Sequence, residues 1–141
     1  MIPPGQTEAF SWLRSVKVHL VENPEPELGM MGSIRLALRS SWVKGRDFLL
    51  SPADIPFVKP EIVNRVIQTF LTRNCRIVIP TYQGLGGHPA MFAAALMDDF
   101  FLRGDTQGTR EILVRHKGDT VRLAVPDPDI CFDVDTPEDL R

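Results

Sequence analysis

Apolar and polar residues alternate along the chain in a way that predicts several short strands. The segment VKVHLVEN (16–23) alternates at period two, which is typical of a strand, and the prolines and glycine that follow it indicate a loop. RDFLLSP (46–52) and RIVIP (76–80) are compact apolar runs of the kind found in strands buried on both faces. TVRLAV (120–125) predicts a further strand near the C-terminus.

Segments with apolar residues at helical spacing lie between these strands. They are SIRLALRSSW (33–42), KPEIVNRVIQTFLTR (59–73), AMFAAALMDDFF (90–101) and TREILVRHKG (109–118). Ser33 is a good N-cap residue for the first segment, and Pro60 and Glu61 suit the first turn of the second. Thr136 begins a Thr-Pro-Glu sequence that resembles one more helix start.

Strands separated by helices of moderate length favour an α/β fold, with a mostly parallel sheet covered by helices on both faces. The chain has 141 residues, of which 43% are hydrophobic and 24% charged, so we expect one domain over residues 1–141. Ligands of such folds collect beyond the carboxyl ends of the strands. Loops that follow the predicted strands are therefore expected to carry the functional residues.

The chain is slightly acidic, with a formal net charge of −2 and a pI near 5.9, which bears on whether it can bind nucleic acid. Because no general positive field is present to hold phosphates, we expect no nucleic-acid partner. No apolar run approaches the roughly 20 residues that cross a bilayer, and the first residues lack the pattern of a signal peptide. We therefore expect no membrane association and a cytoplasmic location. Cys75 and Cys131 have no Cys-x-x-Cys spacing and are expected to be buried, reduced thiols.

Asp54 is a candidate ligand residue because it comes just after the predicted strand at residues 48–50. Its carboxylate should face the crevice where a ligand or cation binds, and Pro56 prevents further strand pairing. The alternative is that Asp54 only caps a turn before the helix at Pro60, since aspartate is common in loops for that reason alone.

Four acids, Asp133, Asp135, Glu138 and Asp139, lie close together in CFDVDTPEDL (131–140). If this segment is extended, Asp133 and Asp135 lie on the same side. Mg²⁺ accepts one or two protein carboxylates and keeps water and phosphate oxygens as its other ligands, so Asp54 and Asp135 suit it if their segments are adjacent. The alternative is that these acids are solvated, with Asp139 favouring the positive end of the following helix.

Five motifs occur in the order found in one enzyme family. They are NPEPELGMMGSIRLAL, LLSPADIPFV, IVIPTYQGLGGHPAMF, RGDTQGTREIL and DVDTPEDL. Over residues 16–141 the chain resembles the molybdenum-cofactor cytidylyl- and guanylyltransferases. The resemblance implies a Rossmann-like, three-layer α/β/α fold. It also implies transfer of a nucleoside monophosphate from CTP or GTP to a phosphorylated acceptor such as molybdopterin, with Mg²⁺ and release of pyrophosphate.

The resemblance also assigns roles to individual residues. Asp54 matches the family's metal-binding acid, and Asp135 matches an acid that can complete the metal site. Gly29 and Ser33 match the loop and helix start that lie against the nucleobase.

The resemblance implies an acceptor-side role for His88, and Arg110 is a further candidate for contact with phosphate. His88, within the Gly-His-Pro turn, is expected to hydrogen-bond the acceptor phosphate; the alternative is a turn histidine packed beside Pro89. Arg110 is expected to contact phosphate, or else to support a helix face through Glu111. Metal binding and positioning would then carry the catalysis.

The sequence departs from the family in one major respect. Family members open with a glycine-rich strand-to-helix turn that cradles the triphosphate, whereas the only glycine cluster here, Gly84, Gly86 and Gly87, has no phosphate-loop pattern. We therefore expect a domain shortened at its N-terminus, and a homo-oligomer that covers the exposed edge. The alternative functions are a non-catalytic nucleotide- or partner-binding module, and a transferase that uses a sugar phosphate as acceptor.

Overall fold

The structure is a computed structural model that describes residues 1–101 and 108–140 of the chain. Two compact units make up the chain: unit 1 (Met1–Lys44 and Met97–Ile112) and unit 2 (Gly45–Leu96 and Leu113–Arg141). The expectation of one domain over residues 1–141 stays a prediction.

Unit 1 is organised around helix α1 (Gly29–Arg39), which buries three apolar residues on one face. These residues, spaced as in an amphipathic helix, are Met31, Ile34 and Leu38. The helix begins at Gly29, before the predicted cap Ser33, so Ser33 lies inside the helix. Gly29 has a φ of 66°, which lets the chain pass from the 3₁₀ helix Pro26–Leu28 directly into α1.

The strand predicted over residues 16–23 is wrong. Among the described residues this segment makes one isolated parallel bridge, between Ile2 and Glu22. The side chains of Val16 and Val18 are 52% and 46% exposed, so the alternation that predicted a strand does not produce a buried face. A strand needs a neighbour along its whole length for its backbone hydrogen bonds, and here Ile2 supplies a neighbour at one position only.

In residues 1–101 and 108–140, five strands and two further helices accompany α1. The strands are β1 (Phe48–Leu50), β2 (Ile77–Tyr82), β3 (Leu85–Gly86), β4 (Ala90–Phe92) and β5 (Thr120–Ala124). The helices are α2 (Pro60–Thr72) and α3 (Thr109–Arg115). Short 3₁₀ helices occupy Ser11–Ser15, Pro26–Leu28, Ala94–Phe100, Lys117–Asp119, Pro128–Cys131 and Pro137–Asp139.

The sheet of unit 2 is built around β2. It pairs in parallel with β5 over five residue pairs, and antiparallel with β3 and β4. Because β4 also pairs antiparallel with β1, strands β1, β2 and β5 all run in the same direction. The predicted α/β class is confirmed. The sheet was expected to be mostly parallel and is instead mixed, because β3 and β4 run the other way and three of the four strand pairings in the described chain are antiparallel.

The helix predicted over residues 90–101 is wrong at its start. Ala90–Phe92 forms β4, all three residues are buried, and Ala94–Phe100 is a 3₁₀ helix. A short apolar run fits a buried strand as well as a helix, and pairing with both β1 and β2 decides this case. The predicted strands at β1, β2 and β5 and the helix at α2 are confirmed.

Helix α2 packs on the sheet through residues at helical spacing. Val66 and Phe70 contact a cluster that includes Val78 and Met91 from the strands. One turn earlier, Ile62 packs with Val125 and Ile130. Burial of these side chains fixes α2, and with it the loop that precedes Pro60, against the carboxyl end of the sheet.

Candidate functional site

The turn after β1 carries Asp54. The neighbouring side chain of Ile55 is 6% exposed and anchors the turn in the interior of unit 2, whereas Asp54 itself is exposed. Asp54 thus follows the carboxyl end of a strand, where α/β proteins place ligand-binding residues.

The segment from Phe132 to Asp135 has the alternation that its sequence predicted. Phe132 and Val134 are half-buried, and Asp133 and Asp135 are exposed. No strand partner is assigned to this part of the described chain, so the extended segment is held by other contacts.

A backbone hydrogen bond joins the two acid-bearing segments. The N–H of Val134 donates to the carbonyl oxygen of Asp54 at 2.7 Å. The rings of Phe57 and Phe132 pack beside this bond with their centroids 6.0 Å apart. Standard backbone dimensions then place the α-carbons of Asp54 and Asp135 within about 10 Å of each other. We refer to Asp54 and Asp135 as the acid pair.

Asp139 holds the loop that carries Asp135. Its Oδ2 accepts hydrogen bonds from the N–H of Asp135 at 3.1 Å, from the N–H of Thr136 at 2.9 Å and from the hydroxyl of Thr136 at 3.0 Å. The bonds from Thr136, followed by that from Asp135, lower the pKa of Asp139. From the sequence, Asp139 was expected only to favour the positive end of a helix; the Thr-x-x-Asp spacing of a capping box was the signal for its role in holding the loop.

The donor set of the acid pair fits a hard divalent cation. Two exposed carboxylates on adjoining segments offer oxygen ligands, which Mg²⁺ and Mn²⁺ prefer. The described residues contain no group of three or more His, Cys, Asp or Glu side chains that could hold a metal. A cation at the acid pair would therefore take most of its ligands from water and a bound phosphate, as Mg²⁺ commonly does.

The Gly-His-Pro turn is fixed against Ile130. The N–H of Gly87 donates to the carbonyl oxygen of Pro80 at 2.9 Å, and the N–H of His88 donates to that of Ile130 at 2.8 Å. A Cβ at position 87 would lie 2.5 Å from the Ile130 oxygen, so only glycine allows this close approach. The peptide bond between His88 and Pro89 is cis. This turn connects β3 to β4.

The imidazole of His88 has two different environments. Nδ1 is buried and has no hydrogen-bond partner in the described part of the chain. The residue as a whole is half-buried, so the ring is neither fully enclosed nor fully solvated. A buried, unpaired polar atom is uncommon in folded proteins and distinguishes His88 from an ordinary turn histidine.

The loop before α1 is ordered by Asn23, a residue to which no sequence pattern gave a role. Its side chain is buried, and its Nδ2 donates to Oγ of Ser33 at 3.0 Å. Its Oδ1 accepts from the N–H of Glu25 at 3.0 Å, which forms a side-chain-capped turn. Asn23 thereby connects Ser33 to the loop that leads to Gly29. These residues all belong to unit 1.

Arg110 is the second residue of α3 and is exposed. It belongs to unit 1, as do Gly29 and Ser33, whereas the acid pair and His88 belong to unit 2. Most of the motif before Arg110, residues 103–107, lies outside the described residues. The structure therefore joins the backbone segments that carry Asp54 and Asp135 within unit 2, and connects Ser33 to its loop within unit 1.

No helix in the described ranges is long and apolar enough to cross a membrane.

Comparison with known proteins decides the family. A family model described as the MobA-like NTP transferase domain matches residues 2–121, which is most of the chain. The chain belongs to this family. The matched range includes Asp54 and His88 of this MobA-like domain, and Asp135 lies beyond it.

Known relatives agree with this assignment. The MobA-like domain is 23% identical over 123 residues to the molybdenum cofactor cytidylyltransferase of Escherichia coli, covering 87% of the chain and 60% of that relative. It thus spans less than two thirds of the relative's length.

Solved structures show the same fold. Rv0371c of Mycobacterium tuberculosis was determined as a complex with manganese. Its match to the present chain has a TM-score of 0.71 and 24% identity, and covers 98% of the present chain and 72% of Rv0371c. The match to the molybdopterin-guanine dinucleotide biosynthesis protein A of Archaeoglobus fulgidus has a TM-score of 0.63 and 23% identity. It covers 96% of the present chain and 71% of the Archaeoglobus fulgidus protein. These matches confirm the Rossmann-like α/β class of the MobA-like domain.

Proposed function

We propose that this MobA-like domain serves the transfer of a nucleoside monophosphate from CTP or GTP to molybdopterin or a related phosphorylated acceptor, with Mg²⁺. The observation that carries the proposal is the hydrogen bond from Val134 to Asp54, which joins the segments of the acid pair. The names of the Escherichia coli and Archaeoglobus fulgidus relatives favour a molybdenum-cofactor acceptor.

In this proposal Asp54 and Asp135 hold the cation. A bound divalent ion would supply positive charge to the phosphates of the nucleotide, which need neutralisation for phosphoryl-type transfer. The manganese complex of Rv0371c supports a divalent metal in a protein of this fold. Asp139 contributes by fixing the backbone at Asp135 through its three accepted hydrogen bonds.

Gly29 and Ser33 are proposed to lie against the nucleobase. Gly29 is exposed and starts α1, so a planar base can approach its backbone without meeting a side chain. Ser33 Oγ already accepts a hydrogen bond from Asn23. The hydroxyl proton of Ser33 is thereby left to donate elsewhere, for example to a base carbonyl.

His88 is proposed to bind the phosphate of the acceptor, and Arg110 is proposed separately to contact phosphate. The turn around His88 is held by backbone hydrogen bonds to Pro80 and Ile130, so its ring is presented from a fixed position. Arg110 is exposed near the start of α3, where its guanidinium is available for a charged group.

Pyrophosphate release tests the proposal. The purified chain is incubated with CTP or GTP, molybdopterin and Mg²⁺, and wild type is compared with Asp54→Asn and Asp135→Asn. We expect turnover in wild type that each substitution abolishes. Asp98→Asn is the matched control, since Asp98 is an exposed acid that belongs to neither segment of the acid pair. Turnover that survives both substitutions contradicts the assigned metal site.

The second candidate is a non-catalytic nucleotide- or partner-binding module. It is favoured by the absence from residues 1–141 of a Gly-x-Gly-x-x-Gly or Gly-Lys-Ser/Thr phosphate loop. Thermal shift with several nucleoside triphosphates separates the two, because a ligand at about 100 times its dissociation constant stabilises by about 2.7 kcal/mol. A shift without turnover on any acceptor, including a sugar phosphate, identifies the module.

We further propose that the chain works in the cytoplasm as a homo-oligomer. Exposed apolar side chains such as Trp12, which is 67% exposed, and Trp42, which is 58% exposed, support self-association. Sedimentation equilibrium of the whole chain tests the oligomer: a mass equal to that of one chain at all concentrations contradicts it.

A further inference from the structure

The backbone on either side of the His88 ring is fixed. Gly87 lies between Pro80 and Ile130. Its N–H donates to the carbonyl oxygen of Pro80 at 2.9 Å, and a Cβ at position 87 would lie 2.5 Å from the carbonyl oxygen of Ile130. The N–H of His88 itself donates to Ile130 at 2.8 Å, and Pro89 follows. Ile130 is fully buried, so the surface against which the turn rests is part of the interior of unit 2. The ring of His88 therefore starts from a backbone that has little freedom to move.

The buried edge of the ring restricts where its proton sits. A neutral imidazole carries a hydrogen on one nitrogen and a lone pair on the other. Nδ1 of His88 is buried and finds no acceptor among the described residues. A hydrogen on Nδ1 would thus be a buried donor without a partner, and orphaned N–H groups are rarer in proteins than under-used acceptors. The neutral tautomer with its lone pair on Nδ1 and its hydrogen on Nε2 is therefore the more stable one.

Nε2 is on the accessible side of the ring. It is not among the buried, unpartnered side-chain atoms of the described chain, where Nδ1 of His88 alone is found. Because Nδ1 is buried while His88 as a whole is only half-buried, the exposed part of the residue lies away from Nδ1, and we take Nε2 to be the nitrogen that a ligand can reach. An accessible Nε2–H on a fixed turn is a directional donor for an anionic oxygen.

We infer that His88 is held as the Nε2–H tautomer and donates this hydrogen to a phosphate oxygen of the acceptor. The inference rests on the proposed function for the identity of the acceptor, and on the packing of the ring for the tautomer. In this form Nε2 has no lone pair with which to take a proton from the acceptor. His88 therefore binds and orients the acceptor phosphate and does not act as a general base.

The tautomer is measured directly by long-range ¹H–¹⁵N correlation NMR of the ¹⁵N-labelled whole chain, under conditions where the ring is neutral. The His88→Phe variant assigns the signals. We expect the nitrogen shifts of the Nε2–H form for His88. His116, whose Nδ1 lies 4.0 Å from the carboxylate of Asp119, is an internal comparison with an acidic neighbour at that nitrogen. Shifts of the Nδ1–H form at His88 overturn the inference.

The donor role is measured by titrating the same chain with inorganic phosphate and following the His88 ring signals. The side-chain amide of glutamine reaches the position of Nε2, whereas that of asparagine reaches the position of Nδ1. His88→Gln should therefore keep phosphate affinity within a few-fold of wild type, and His88→Asn and His88→Phe should each lose about tenfold or more, as for a hydrogen bond to a charged group. Melting temperatures of all variants identify any that fail to fold, and His88→Gln, which keeps a polar group at the open edge, keeps the comparison interpretable.

Each outcome has one meaning. Phosphate binding that is equal in wild type, His88→Gln and His88→Phe overturns the donor role even if the tautomer is as expected. The Nε2–H tautomer together with retention in His88→Gln and loss in His88→Phe supports the inference. If those results hold while no nucleotidyl transfer is found with any acceptor, the proposed function fails and the phosphate-binding role of His88 stands.

Discussion

The N–H of Val134 donates a 2.7 Å hydrogen bond to the carbonyl oxygen of Asp54. This single contact joins the turn after the first strand to the last extended segment of the chain. It is accompanied by packing of Phe57 on Phe132, so both backbone and side chains hold the segments together. The backbone segments of the acid pair owe their proximity to this long-range contact.

The loop at Asp135 should loosen when Asp139 is removed. Asp139→Ala deletes the acceptor for three donors on Asp135 and Thr136, leaving their N–H groups to water. We expect a lower melting temperature and weaker Mn²⁺ binding, although Asp139 is not in the acid pair. Glu138→Ala is the matched control, since the exposed Glu138 is its immediate neighbour. Equal Mn²⁺ affinities for the two variants would show that Asp139 does not order the loop.

Asp139 should also make the stability of the folded chain depend on pH. Hydrogen bonds from Thr136 and Asp135 lower the pKa of Asp139 in the folded chain. Its stabilising effect is therefore fully present above the pKa of an unfolded aspartate, about 3.9, and is lost as the pH falls through the lower folded value. Thermal unfolding of wild type and Asp139→Asn across this pH range tests the direction of the pH dependence. The difference in melting temperature between the two should shrink in acid, and a difference that grows in acid would contradict a lowered pKa of Asp139.

A side chain at position 87 should strain the Gly-His-Pro turn. In Gly87→Ala the new Cβ would lie 2.5 Å from the oxygen and 2.7 Å from two side-chain carbons of Ile130. Relieving such overlap in a packed core typically costs about 1–3 kcal/mol. Urea unfolding measures the loss. Gly118→Ala is the control, because a Cβ there meets no atom within 4 Å, and it should leave the free energy of unfolding nearly unchanged. Equal stability of the two variants would mean that the turn does not rest on Ile130.

Two adjacent residues of α2 should differ sharply in their effect on stability. Phe70 is 8% exposed and packs on the sheet with Val66 and Val78, whereas Leu71 is 67% exposed. We expect Phe70→Ala to lower the free energy of unfolding by about 3–5 kcal/mol. Leu71→Ala should change it by about 0.5 kcal/mol or less. Comparable losses in the two variants, measured by urea unfolding, would contradict the assigned face of the helix.

The fold was predictable where local pattern and packing agree. The apolar run at Phe48–Leu50 and the helical spacing with Pro60 at the start of α2 led to confirmed elements. The alternation over residues 16–23 misled because a strand also needs a neighbour, and only Ile2 pairs with this segment in the described chain. Ala90–Phe92 was ambiguous because three buried apolar residues suit either a strand or a helix.

The sequence indicated which residue types carry the candidate site, but not which contacts surround them in the fold. The sequence indicated Asp54 and Asp135 as acids at the ends of extended segments, and the resemblance matched them to metal-binding positions. Their proximity depends on a contact between distant segments, which periodicity does not encode. The unpaired Nδ1 of His88 is a consequence of tertiary packing around the turn, and no local pattern predicts it. The capping role of Asp139, by contrast, is contained in the Thr-x-x-Asp spacing.

Mn²⁺ binding shows whether Asp54 and Asp135 share a cation. Mn²⁺ is titrated into the whole chain and followed by electron paramagnetic resonance, for wild type, Asp54→Asn, Asp135→Asn, the double variant and Asp98→Asn as control. We expect one Mn²⁺ site whose affinity each single substitution lowers severely, the double substitution lowers little further, and the control leaves unchanged. If either single variant binds Mn²⁺ as tightly as wild type, Asp54 and Asp135 do not share a cation and the proposed site is wrong.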